Sequence, residues 1–376
     1  MKIAVIRQKY VNYGGAEGFS AEHTLQLAKA GHEVHIFANS WTSPEIPNVY
    51  FHKVPMLRIN SFLRYGSFAW MADRLVSREK FDVIQSHERT WRQDIYRAGD
   101  GCHKEWLEQR GKYISPLKRW WLSLSPFHLL LLKIEQSIFT KGRYKKIIAI
   151  SEMVKENIQK HYHVPAEDIA VIYNGVRLQK FNPANKALHS ASLREKHKIP
   201  TKALLLLCVG SGFERKGLKF LLQSTDHLKH DEWRLMVIGK GKWERYRNFA
   251  SKKSQEKIVY VEPVQNIEAY YAAADVFVLP SLYEPFGNAN LEALATGLPV
   301  ITSRYCGAAN IIQHKHNGLV VENPGDPKEI AANINYLFDP VLREEMGRQA
   351  RILAEQYTVE KNTEAIIQLY REVTNI

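Results

Sequence analysis

Two short stretches hold four side chains that can act together: Arg215 and Lys216 in GSGFERKG, and Glu284 and Glu292 in YEPFGNANLE. Adjacent cations beside glycines, at the start of a helix, can bind a diphosphate through charge and backbone donors at once. At ~4 Å in a medium of intermediate dielectric, one charge pair is worth about 4 kcal/mol, enough to steady a departing diphosphate without a metal ion. The carboxylates are spaced for a different task. Glu284 lies in a loop and Glu292 about a turn into the following helix, so they do not make the close pair that two-carboxylate glycoside hydrolysis needs. They suit hydroxyls on different parts of one elongated ligand. Between them Phe286, Gly287 and Asn288 offer backbone N–H groups at a helix N-terminus, which favours an anion or a polar sugar edge, and Gly287 permits close approach to the main chain.

The elements that must hold these residues are written in the hydrophobic pattern. DVFVLP, residues 275–280, is a candidate buried strand that delivers the loop carrying Glu284. Asn288 is the expected N-cap of a helix over 289–296, and Gly297 with Pro299 stops it. ALLLLCV, residues 203–209, is a second buried run; it leads into Gly210 and its neighbours, then Arg215, Lys216 and a helix over 218–228. Upstream, apolar runs at 2–7, 33–38, 49–54, 81–86 and 145–150 alternate with helical stretches at 16–30, 61–77, 116–139 and 152–162. Such alternation predicts α/β architecture with parallel sheets covered by helices, and ligands at the carboxyl ends of the strands. A chain of 376 residues exceeds one ordinary core and fits two such domains. The expected division is 1–176 and 203–356, with a polar linker at 177–202 and a last helix, 357–376, packing back on the first domain.

Other candidates follow from position. Gly14 and Gly15 sit at a strand-to-helix turn but lack the G-x-G-x-x-G pattern, which disfavours hydride transfer. His87 and Asp100 end candidate strands, and His103 follows closely. The loop of Pro263 and Val264 ends another strand.

Charge and composition narrow the partners. The net charge is +13, and residues 97–146 hold eleven Lys and Arg against four Asp and Glu, beside Trp106, Trp120, Trp121 and a run of leucines. Basic residues interleaved with Trp and Leu predict a surface for anionic lipid. No basic base-reading helix is present, so nucleic acid is not an expected partner. No apolar run reaches the ~18 residues of a membrane span, which predicts a cytoplasmic chain held peripherally at a membrane. The three cysteines are scattered, which predicts free thiols, and no ligand cluster has metal-site spacing.

EPFGNANLE resembles the E-P-F-G-x-x-x-x-E signature of the retaining, nucleotide-sugar-dependent glycosyltransferases of family four. Gly14-Gly15-Ala16-Glu17, Asn174-Gly175-Val176 and Arg215-Lys216-Gly217 match the same family in order and spacing along nearly the whole chain. The resemblance implies a GT-B fold, two Rossmann-like domains facing across a cleft. It implies a UDP-sugar donor on the second domain and no cofactor. Glu292 would take the ribose hydroxyls and Glu284 a sugar hydroxyl. Arg215 and Lys216 would take the diphosphate, assisted by Gly210, by Gly14 and Gly15, and by the backbone at Pro263 and Val264, which would hold the base. Asp100, in YRAGDGCH, resembles an acceptor-side aspartate of the lipopolysaccharide-core glucosyltransferases within this family, which implies UDP-glucose and a glycolipid acceptor, with His87 and His103 on the acceptor side. Ala16-Glu17 departs from those enzymes, so another UDP-sugar, such as UDP-N-acetylglucosamine, in capsule or exopolysaccharide synthesis stays open. A non-catalytic nucleotide or nucleic-acid binder is the rival of another class.

Overall fold

A computed structural model describes residues 1–11, 23–42 and 46–374. The chain divides into two compact units, one of residues 1–175 with 359–376, the other of residues 176–358.

In the first unit seven parallel strands run in the order Val49–Lys53, Glu33–Ala38, Lys2–Ile6, Val83–Ser86, Ile95–Ala98, Lys146–Ala149, Ile169–Val171. The central strand is apolar on both faces because both are covered, as parallel sheets require. Ile3 and Val5 pack with Ile366, Leu369 and Tyr370 of the helix Val359–Thr374, while Ala4 and Ile6 pack with Phe68, Ala72 and Val76 of the helix Ser61–Val76. The Tyr370 hydroxyl donates to Gln85 Oε1 at 2.8 Å, so the last helix is pinned by a buried polar bond as well as by its apolar face.

The second unit is a six-stranded parallel sheet ordered Ile258–Val261, Trp233–Ile238, Leu204–Val209, Val276–Leu279, Val300–Ser303, Leu319–Val321. This is the 3-2-1-4-5-6 order of a doubly wound dinucleotide fold. Its topological switch lies between Leu204–Val209 and Val276–Leu279, the two strands that deliver Arg215 with Lys216 and Glu284.

Two expectations change. The helical stretch at 116–139 is two helices, Pro116–Ser123 and Pro126–Ile138, because Pro126 has no N–H for the first helix and takes the first turn of a new one. Residues 177–202 are more than a linker: they include the helix Asn185–Lys196, which packs on the helix Ile267–Ala273 and is fastened by Arg194 to the Ala273 carbonyl at 3.1 Å and to Asp275 at 2.6 Å. Only Leu193 of that helix is buried, which is why its composition reads as a solvated connection.

Candidate functional site

In the second unit the predicted charges come together. Lys216 Nζ lies 2.5 Å from Glu284 Oε2, and Arg215 Nη1 lies 3.4 Å from the same oxygen. The Lys216 and Glu284 side chains are about nine-tenths buried, whereas Arg215 is 37% exposed. Two glycines make the approach possible. Gly210 has φ +141°, and a Cβ there would stand 2.8 Å from Lys216 Cε, in the path of the lysine stem. Gly217 has φ +70°, and a Cβ there would meet the Pro280 carbonyl oxygen at 2.0 Å, so only glycine lets the two loops touch. The Leu282 N–H then donates to the Arg215 carbonyl at 2.8 Å, tying the loops across the switch point.

Glu284 is held by its main chain, which leaves the side chain for the cations. Its N–H donates to the Tyr305 carbonyl and its carbonyl accepts from Gly307, each at 2.8 Å. The Phe286 side chain belongs to the core. The helix of Glu292 spans Asn288–Ala295 and is preceded by Gly287 in the left-handed region, so Asn288 is its first residue rather than its cap. Burial pushes the Glu284 carboxyl up, but Arg215 and Lys216 outweigh burial and hold it below its usual range. Glu292 behaves in the opposite sense. Burial raises it to about 7 against the pull of the Tyr271 hydroxyl, which donates to Oε2 at 2.8 Å, and of Lys180, Arg177 and Lys216. Lys216 is therefore a common neighbour of both carboxylates, one ionised and one poised between its two forms.

Pro263 and Val264 follow the edge strand Ile258–Val261, two strand spacings, about 10 Å, from Leu204–Val209 along the same carboxyl edge. That span suits a ligand running from the edge of the sheet to its switch point. Gly14 and Gly15 lie outside the described residues.

The first unit gathers a second group, also at a switch point, between Lys2–Ile6 and Val83–Ser86. Arg89 Nη1 lies 3.7 Å from Asp100, whose side chain is 60% exposed. Arg89 also donates to Glu135 Oε1 at 3.1 and 3.2 Å and to the Gly101 carbonyl at 3.1 Å, which fixes the turn bearing Asp100. Glu88 Oε1 accepts the Gln8 N–H at 3.0 Å, and burial raises its carboxyl to about 7.

The predicted histidines are both buried. His87 is buried, bonded to Gln85 at 2.6 Å, and held well below its usual value by burial and by Arg97 and Arg7. His103 heads the helix His103–Gly111, meets His128 at 3.1 Å, and is lowered to about 3 by burial. Neither is bonded to Asp100 in this arrangement. Glu105, Glu108 and His161 form a cluster of metal-ligand type, but Lys160 Nζ sits 2.8 and 3.0 Å from the two carboxylates and supplies the counter-charge.

Sequence reasoning passed over Tyr271, Glu88, Arg89 and Glu135. Glu135 had a visible signal: it shares the i, i+3, i+4, i+7 face of Leu131, Ile134 and Ile138, all buried. An acid on an apolar stripe needs buried partners.

Comparison with known proteins agrees with this fold. The family model for Glycosyltransferase Family 4 matches residues 13–180, and that for Glycosyl transferases group 1 matches residues 190–353. The lipopolysaccharide glucosyltransferase WaaG of Escherichia coli K12 is 25% identical over 343 residues, 88% of this chain and 87% of its own length. The N-acetyl-alpha-D-glucosaminyl L-malate synthase of Bacillus anthracis is 24% identical over 394 residues, 99% of this chain and 98% of its own. Among solved structures, WaaG superimposes with a TM-score of 0.84 at 22% identity, over 99% of each chain. Anabaena HepE in complex with UDP-glucose gives 0.73 at 16% identity, over 99% of this chain and 100% of its own.

Proposed function

This chain belongs to the GT-B glycosyltransferases related to family four, and from that membership we propose that it is a retaining hexosyltransferase that moves glucose from UDP-glucose to a membrane-associated glycolipid such as a lipopolysaccharide core. The observation that carries the proposal is the Arg215, Lys216 and Glu284 cluster at the switch point of a 3-2-1-4-5-6 sheet. A nucleoside diphosphate sugar laid along that edge puts its diphosphate on the two cations. Glu284 keeps both cations positioned before the donor arrives, so little reorganisation is needed when negative charge builds up. Glu284 also accepts a sugar hydroxyl, and Glu292 the ribose hydroxyls.

In the transfer step the bond from sugar C1 to the phosphate oxygen breaks while a bond to the acceptor oxygen forms on the same face. The acceptor proton passes to the departing phosphate oxygen. Asp100 orients the acceptor hydroxyl, and no metal ion is needed because Arg215 and Lys216 supply the positive charge. A second donor, UDP-N-acetylglucosamine, is favoured by the full-length similarity to the malate synthase.

Calorimetric titration with UDP-, GDP- and ADP-glucose and UDP-N-acetylglucosamine tests this reading. UDP-glucose should bind best. Its affinity should rise as pH increases through about 7, because Glu292 accepts two hydroxyls only when ionised. Glu292→Gln should weaken binding and remove the slope. A chain that binds none of the four nucleotide sugars would end the proposal.

The membrane part rests on the helix Pro116–Ser123, which has no buried residue. Leu117, Trp120 and Trp121 are each more than half exposed. Residues 109–134 hold five Lys and Arg and no acid. Among the described residues no helix is long and apolar enough to cross a membrane, so this surface would lie on anionic lipid at the inner face of the cytoplasmic membrane. Replacing Lys112, Lys118 and Arg119 by Gln should weaken sedimentation with anionic liposomes by roughly a hundredfold, at about 1 kcal/mol per charge. Equal binding to neutral vesicles would count against it.

A further inference from the structure

Among the described residues of the first unit, Arg7 is a buried charge without a hydrogen-bonded partner. It follows the central strand Lys2–Ile6, at the switch point beside Val83–Ser86, where doubly wound sheets bind their ligands. The residue is only 8% exposed, yet among the described residues its guanidinium makes no hydrogen bond and no ion pair, and its Nε is buried without a partner. The side-chain amide of Gln8, also 8% exposed, has a buried Nε2 in the same condition. Buried cations and amides are ordinarily paired, because an unpaired one forfeits its hydration for nothing.

The neighbouring charges are already committed. Arg89 is taken by Glu135 and the Gly101 carbonyl, and Asp100 sits against Arg89. Arg97 donates to Asn174 Oδ1, and a Cβ on Gly99 would stand 2.8 Å from its Nη1, which places its guanidinium against the turn of Asp100. His23 and His87 are both kept neutral by burial. Burial raises the Glu88 carboxyl to about 7 against the pull of Arg7, so Arg7 has an acid within electrostatic reach but no hydrogen bond to it. Arg97 is lowered to about 9 by burial and by Arg7, which shows that the two guanidinium charges feel each other.

We propose that Arg7, with the Gln8 amide at the same strand end and Arg97 within electrostatic reach, is the seat for an oxyanion borne by the acceptor, a phosphate or a carboxylate group. An oxyanion offers the acceptor-only oxygens that a guanidinium fork and an amide N–H lack here. The reading of the first unit as the acceptor side is the premise on which this rests.

The test uses the full chain carrying Arg215→Ala, Lys216→Met and Glu284→Gln, so that phosphate has no diphosphate site to occupy and no buried carboxylate is left stranded. Inorganic phosphate should still raise its melting temperature. Adding Arg7→Met should weaken that response at least tenfold and should raise the melting temperature without phosphate, since an unpaired buried charge has been removed. Acetate in place of phosphate separates the two oxyanion classes: protection by acetate alone would assign a carboxylate. Absence of protection by either anion, or protection that survives Arg7→Met, would overturn the proposal. Failure of Arg7→Met to fold would do the same, by showing that the cation is structural. The readout needs no sugar transfer, so it stands or falls separately from the proposed reaction.

Discussion

Lys216→Ala should reduce sugar transfer by roughly 10²–10³-fold at saturating donor, the range seen when one preorganised donor to a developing negative charge is lost. The lysine contacts Glu284 at 2.5 Å and is about nine-tenths buried, so its charge acts on a bound diphosphate with less screening than in water. The same burial gives the substitution a second effect. Breaking a buried pair by removing one member costs about 3–5 kcal/mol, because the other charge is stranded. Here Arg215, 3.4 Å away and more exposed, offsets part of that. The two effects separate in the double variant Lys216→Met with Glu284→Gln, which should recover most of the denaturation midpoint while transfer stays low. If sugar transfer returns together with stability, Lys216 is a packing residue and its catalytic assignment is wrong.

Glu135→Leu should cost the first unit about 3–5 kcal/mol, the largest stability loss expected outside its apolar core. The carboxylate is fully buried and accepts from Arg89, from the His103 and Lys104 N–H groups at 2.7 and 3.2 Å, and from the Tyr162 hydroxyl at 2.6 Å. It therefore serves as an N-terminal cap for the helix His103–Gly111 and as the anchor of Arg89. Leucine fills the volume but leaves four sets of donors with nothing to accept from. Calorimetry should show a lower melting transition, with Glu135→Gln in between because its amide oxygen still accepts. An unchanged transition in Glu135→Leu would remove the carboxylate from its place at the centre of this network. On the proposed role of Asp100, transfer should fall along with stability, because Arg89 fixes its turn.

How much of this was legible follows from the range over which each signal acts. The strands Leu204–Val209 and Val276–Leu279 were readable because a parallel strand covered on both faces is apolar throughout. The convergence of Arg215, Lys216 and Glu284 was readable because their motifs resemble those of a family. The partners of Glu292 were not: Tyr271 stands 21 residues away on a helix of Ala and Tyr that looks like ordinary core. The helix Asn185–Lys196 was hidden by its own polarity, since one buried leucine makes no stripe. The break at Pro126 was legible in principle from proline chemistry, as was the demand of Glu135 for buried donors. His87 and His103 illustrate the converse: position near strand ends suggested the acceptor side, while their burial beside other cations and imidazoles, which holds them neutral, was not readable from sequence.

The first unit is discontinuous. Ile366, Leu369 and Tyr370 complete its core, yet the whole of residues 176–358 is spelled out between them and the sheet they cover. On the ribosome, then, the half that starts first finishes last. Its seven-stranded sheet must wait with part of one apolar face open to water while the other unit, continuous in sequence, is made and folds. That interval is when a nascent chain is most exposed to chaperones and to aggregation, and a shorter second unit would narrow it.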